Sequence, residues 1–183
     1  IKLLMHHCHS VFKSLLGAFE VTGSSLKEYL SRISGPMLDR IDIQVEMPEI
    51  SFAELTDTVP AEASAVIREK VEAARELARE RFKSAGRENY ASLSNALMQT
   101  DDIREFCTLD AGCRAIMEGV FNKINLSARA YDRILRVART LADIEYIEKH
   151  STSQSSGIIG GELKKHHLTE AIQMRVLDRK YGI

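Results

Sequence analysis

Two hydrophobic periods run along the 183-residue chain. Between Ile41 and Met47 the period is two: Ile41, Ile43, Val45 and Met47 alternate with Asp42, Gln44 and Glu46. That pattern predicts a strand with one apolar face. Further on the period lengthens to that of a helix. Ala63, Val66, Ile67, Val71, Ala74, Leu77, Ala78 and Phe82 recur at three- and four-residue steps, which predicts a helix from Pro60 to about Ala85, ended by Gly86. A short helix follows over Asp101–Cys107, with Ile103, Phe106 and Cys107 inward. Asp110 is placed to cap another, from Ala111 to about Ile124, with Ile116, Val120 and Phe121 apolar. Ser127 caps a helix from Ala128 to about Glu148, whose inner face is Tyr131, Ile134, Leu135, Ala138, Leu141 and Ala142. The last helix is expected from about Leu168 to Asp178.

The fold class is therefore mainly α, with one strand and one short helix, Leu26 to Ile33, ahead of the helical part. Residues 1–24 are poorly defined by pattern, residues 25–47 carry the helix and strand, and residues 48–183 form a helical domain. Residues 87–95 read as a loop, and Ser151–Gly161, rich in Ser and Gly, as a flexible linker.

Composition narrows the function classes. The formal net charge is −1, so nucleic-acid or membrane binding requires a local patch. No apolar run approaches the ~18–20 residues of a membrane span. The three cysteines, Cys8, Cys107 and Cys113, include no C-x-x-C pair, which fits a reducing cytoplasm rather than a disulfide framework. Cys107 and Cys113 read as small core residues. His6, His7, Cys8 and His9 are metal-ligand types, but adjacent side chains diverge, and no metal site is expected there. His166 and His167 precede the last helix without an evident third ligand. The chain does not begin with Met, and we expect it to be part of a longer protein.

The chemistry that remains is cationic. Arg40 sits at the mouth of the strand, where a planar, always charged guanidinium suits phosphate oxygens. Asp39 and Asp42 flank it and could equally neutralise it. In the helix after Ser127, Arg129, Arg133 and Arg136 lie opposite the apolar face, with Arg139 at its edge. Asp132 can reach Arg136 and Asp143 can reach Arg139. Arg129 and Arg133 have no acid four residues away. Arg129 also occupies the first turn, where the helix dipole favours an anion. A bound anion and a merely solvated Arg both satisfy this pattern. There is no G-x-x-x-x-G-K-[ST], G-x-S-x-G or H-E-x-x-H, so the chain holds no self-sufficient active site.

Three blocks bring in a family. S-G-P-M-L-D-R-I-D-I-Q-V-E-M-P, L-S-A-R-A-Y-D-R-I-L-R-V-A-R-T-L-A-D-I-E at 126–145 and H-L-T-E-A-I-Q-M-R-V-L-D-R at 167–179 resemble, in order and spacing, the magnesium-chelatase-like AAA+ ATPases of the YifB/ComM type. The resemblance covers about residues 25–180. It implies a C-terminal fragment: the trailing part of an AAA+ core followed by its helical lid. It further implies Arg40 as an arginine finger acting in trans and Arg129 as the sensor-2 arginine, with a weaker claim for Arg133. ATP and Mg2+ would be cofactors of the full-length protein, with none bound by this chain alone. The partners would be further copies in a ring, a hexamer, and DNA. Without Walker motifs the chain would be inactive by itself. Two alternatives stay open: a chelatase-type subunit for metal insertion into a tetrapyrrole, and a non-enzymatic helical interaction module.

Overall fold

The computed structural model describes residues 40–44, 51–52, 56, 61–87, 94–124, 126–149 and 159–175. Expectations for residues 1–24, for the helix over 26–33 and for Pro60 lie outside these residues, whereas the last helix, expected to reach Asp178, ends at Gln173, because Arg175 bridges to Gln44. The chain divides into two compact units, Pro60–Met174 and a second made of Ile1–Val59 with Arg175–Ile183.

The larger unit is a helical bundle. In chain order it holds α1 (Ser64–Ser84), a 3-10 turn (Asn95–Leu97), α2 (Thr100–Phe106), α3 (Ala111–Ile124), α4 (Ala128–Lys149) and α5 (Lys165–Gln173). Helix α4 is the centre, packing against α1, α2, the 3-10 turn and α5, while α3 meets α5. Ile134, Leu135, Ala138 and Ala142 of α4 are buried among Phe82, Met98, Phe106, Leu163 and Leu168 from the surrounding elements. Phe82 and Phe106 meet edge-on, with ring centroids 5.3 Å apart.

Sequence-encoded stops and caps set the element ends. Gly86 ends α1 with φ +71°. Its N–H donates to the Lys83 carbonyl at 2.9 Å and the Arg87 N–H to the Phe82 carbonyl at 3.0 Å. This pair of bonds is the Schellman closure that a left-handed glycine permits. Asp110 Oδ1 accepts the Cys113 N–H at 2.6 Å, and Ser127 Oγ accepts the Ala130 N–H at 3.1 Å. Both are the expected N-caps.

Three details differ from the sequence pattern. Helix α1 buries only its C-terminal half, through Ala74, Ala78, Arg81 and Phe82, while Val66, Ile67 and Val71 stay 40–46% exposed. Helix α3 turns Cys113 and Met117 to the core and leaves Phe121 46% exposed. Cys113 lies on the side where α3 meets α5, and the Leu163 carbonyl accepts from its thiol. Helix α5 begins at Lys165, a turn earlier than expected, because His167 serves its first turn.

In the second unit the expected strand is represented, among the described residues, by an isolated parallel bridge between Gln44 and Arg175. Residues 45–47 lie outside the described residues. Among the described residues Ile41–Ile43 join no ladder. No helix of the described residues is long and apolar enough to cross a membrane.

Candidate functional site

Burial and hydrogen bonding sort the arginines into two groups. Arg81, Arg139 and Arg175 are 1–2% exposed and belong to the interior. Arg40, in a turn, and Arg129, in the first turn of α4, are exposed, as are Arg68, Arg75, Arg79, Arg104 and Arg114.

The interior group begins with one carboxylate. Asp143, fully buried on α4, is shared by Arg81 of α1 and Arg139 of its own helix. Arg139 Nε lies 3.1 Å from Asp143 Oδ1, and Arg81 Nη2 donates to the same oxygen. Asn95 completes the set: its Oδ1 accepts from Arg81 Nη1 at 3.1 Å, and its Nδ2 donates to Asp143 Oδ2 at 2.8 Å. The second buried cation is accommodated by carbonyls. Arg81 Nε donates to the Ile159 carbonyl and Arg139 Nη1 to the Gly161 carbonyl, each at 2.8 Å, and Arg139 Nη2 reaches the Gly160 carbonyl. Burial pulls the Arg139 guanidinium below its ordinary range, and the Asp143 carboxylate opposes that pull.

This network corrects two sequence expectations. Arg139 is core rather than the edge of a polar face. The end of the Ser151–Gly161 stretch, where residues 159–161 are described, is tied down rather than free. Gly160 is buried with φ +88°, and its flank is occupied by Asp143, Arg81 and Arg139. Arg136 is spent on packing too, donating to the Met98 carbonyl at 2.7 Å, a contact different from the expected pairing with Asp132.

The exposed group holds the candidate phosphate-binding residues. Arg129 lies in the first turn of α4, a turn without acidic residues, just past the Ser127 cap. Arg133 is half-buried one turn on. Beside that helix start runs a shallow apolar groove of about 440 Å³ walled by Leu109, Met117, Phe121, Ala128 and Tyr131. In the other unit Arg40 occupies an exposed turn. Directly after it the chain is gripped: Arg175 Nη1 donates to the Ile41 carbonyl at 3.1 Å, and Gln44 bridges to the Arg175 backbone. No local pattern singles out Arg175, which lies 134 positions from Ile41.

A second cluster gathers around Glu145. Its Oε2 faces Nε2 of His166 at 2.5 Å and Nε2 of His167, and its Oε1 takes the Lys149 ammonium. These three residues are the group of metal-ligating types that converges among the described residues, and Glu145 is the third residue the sequence did not reveal. The His167 tautomer argues against an ion. Its Nδ1 accepts the Lys164 backbone N–H at 3.1 Å, so the neutral ring carries its proton on Nε2 and donates to Glu145. An ion at Nε2 would require the proton on Nδ1, facing another N–H. Glu145 is held well below the usual carboxylate range, first by Lys149 and then by the His166 contact. Burial pushes His167 down from its ordinary value, with Glu145 opposing.

The two described cysteines fit their core reading. Burial pushes the Cys107 thiol up to about 12 and the Cys113 thiol up to about 11, so neither is a thiolate at neutral pH.

Residues 61–156 match the family described as magnesium chelatase, subunit ChlI C-terminal, and residues 5–55 match magnesium chelatase, subunit ChlI. The chain is 40% identical over 152 residues to the protein YifB of Escherichia coli, covering 82% of this chain and 26% of that protein. It is 34% identical over 155 residues to the competence protein ComM of Haemophilus influenzae, covering 84% and 26%. A YifB protein of Salmonella typhimurium is 32% identical over 152 residues, covering 82% and 26%. The chain thus spans about a quarter of the length of these relatives.

Proposed function

Because the chain belongs to the magnesium-chelatase ChlI C-terminal family, in its YifB/ComM branch, we propose that it supplies two arginines to an ATP-driven ring motor acting on DNA. The helical unit is the lid of the AAA+ ATPase. Arg40 is the finger that reaches the γ-phosphate of ATP held by a neighbouring copy. Arg129 is the sensor-2 residue that touches ATP held by its own copy, with Arg133 as its auxiliary.

The observation that carries this reading is the division among the arginines. Arg81, Arg136, Arg139 and Arg175 are engaged with Asp143 or with backbone carbonyls. Arg40 and Arg129 stay exposed at a turn and at a helix N-terminus. A helix start adds partly positive backbone N–H groups to the Arg129 cation, a combination suited to phosphate. The donor set fits phosphate oxygens and does not fit Mg2+, which takes oxygen ligands. In this reading Mg2+ and the phosphate cradle belong to other parts of the assembly. When bound there, the ion would supply positive charge against the phosphates. This chain's own contribution is to place a guanidinium where negative charge grows on the transferred group.

A finger of this kind contributes about 10³–10⁵ in rate. The intact protein carrying Arg40→Ala should therefore lose ATP turnover by at least about 10³-fold while keeping its ATP affinity within a few fold. Unchanged turnover in that variant rejects the assignment. DNA binding whose affinity falls steeply with salt supports the motor over the alternative that the family description raises, metal insertion into a tetrapyrrole.

A further inference from the structure

Arg40 can act only if its backbone is held at a fixed place and angle, and the side chain that holds it comes from the far end of the chain. Arg175 is 2% exposed, one of the largest fully buried side chains described. Its Nη1 donates to the carbonyl of Ile41, the residue next to Arg40, at 3.1 Å. Its backbone pairs in parallel with Gln44, itself 8% exposed. Two attachments three residues apart fix both position and direction of the segment that leaves Arg40. Arg40 itself stays on the exposed turn ahead of them.

We propose that Arg175 is a positioning residue for Arg40: through its hydrogen bond to the Ile41 carbonyl and its bridge to Gln44 it sets where the finger guanidinium points. The proposal rests on the finger reading of Arg40. Burying an arginine costs free energy unless its donors are satisfied, so an apolar residue would fill the same space more cheaply if space-filling were the need. The planar fork instead supplies directed N–H groups, and one of them is aimed at the carbonyl beside the finger. A lysine would keep the charge and lose that fixed direction.

The consequence is kinetic. A displacement of about 1 Å in a group acting on the transition state costs on the order of 10² in rate. Arg175→Met in the intact protein should lower kcat by about 10²-fold with KM for ATP changed by less than about threefold. Arg175→Lys should recover part of that loss. The decisive measurement is a double-mutant cycle with Arg40→Ala. If Arg175 acts through Arg40, Arg175→Met lowers kcat in the wild-type background and has no further effect in the Arg40→Ala background. Circular dichroism and oligomer size, measured on the same samples, separate this from loss of fold. Additive losses in the cycle overturn the proposal, as does a kcat that Arg175→Met leaves unchanged in a folded protein. If Arg40→Ala itself keeps full turnover, the finger reading fails first, and the cycle tells the two failures apart.

Discussion

Asp143→Asn tests the buried network at its single anion. The substitution keeps shape and removes charge. In the native bundle Asp143 faces Arg81 and Arg139, with all three side chains 0–3% exposed. Replacing it leaves two guanidinia with no counter-ion, since their other partners are carbonyls and the Asn95 amide. Removing one partner of a buried ion pair costs about 3–5 kcal/mol. The unit spans roughly 115 residues, and at about 0.05–0.15 kcal/mol per residue its total stability is on the order of 6–17 kcal/mol. The change should therefore remove between roughly a fifth and four fifths of it and lower Tm by more than about 10 °C. Urea and thermal unfolding followed by circular dichroism at pH 7 measure both numbers. Arg139→Met should cost less, because it leaves a balanced Arg81–Asp143 pair. A cost for Asp143→Asn below about 1 kcal/mol, the range of a surface pair, refutes the network as an energetic unit. So does a larger cost for Arg139→Met.

Acid should loosen the start of α5 through His167. Its pKa lies below the ordinary 6.5 when folded, so its contribution is complete above pH 6.5 and is lost as pH falls through the folded value. Glu145, depressed from 4.5, adds a separate loss beginning below that pH. His167→Gln, which can accept the Lys164 N–H and still donate to Glu145, should remove the first step in amide-exchange protection of α5 and keep the second; a first step that persists excludes His167. Gly160→Ala should destabilise the bundle by about 2 kcal/mol or more, from the positive φ and the displaced ion network. Gly119→Ala, whose new methyl meets nothing within 4 Å inside α3, should stabilise it by about 0.5–1 kcal/mol. Denaturant titration of both variants checks the opposite signs.

Local signals in the sequence were dependable. Ser127, Asp110 and Gly86 each carry their instruction within a few residues, as cap or stop, and α4 has enough turns to make its apolar face plain. What pattern could not supply is the company a polar residue keeps. Arg139 was placed at the edge of a polar face with Asp143 in reach, and that local pair is present; its burial was not legible, because the other partners of Arg139 and those of Arg81 lie 14 to 78 positions away. Glu145 and His167 are 22 positions apart, and Arg175 and Ile41 are 134 apart. The exposed half of α1 was illegible for the opposite reason: Val66, Ile67 and Val71 have the right period, and period alone does not say whether a neighbour is present. The candidate arginines were found by resemblance, since Arg40 and Arg129 obey local rules that a solvated Arg also obeys.

The shared carboxylate has a consequence for descent as well as for stability. Three positions that answer to one charge cannot change in any order. A lineage that loses the acid first passes through a molecule with two stranded cations. A lineage that first exchanges one arginine passes through a neutral pair and can lose the remaining two later. Divergence at Asp143 should therefore be found only on backgrounds where Arg81 or Arg139 has already gone, and the route through sequence space is narrower than three separate sites would allow.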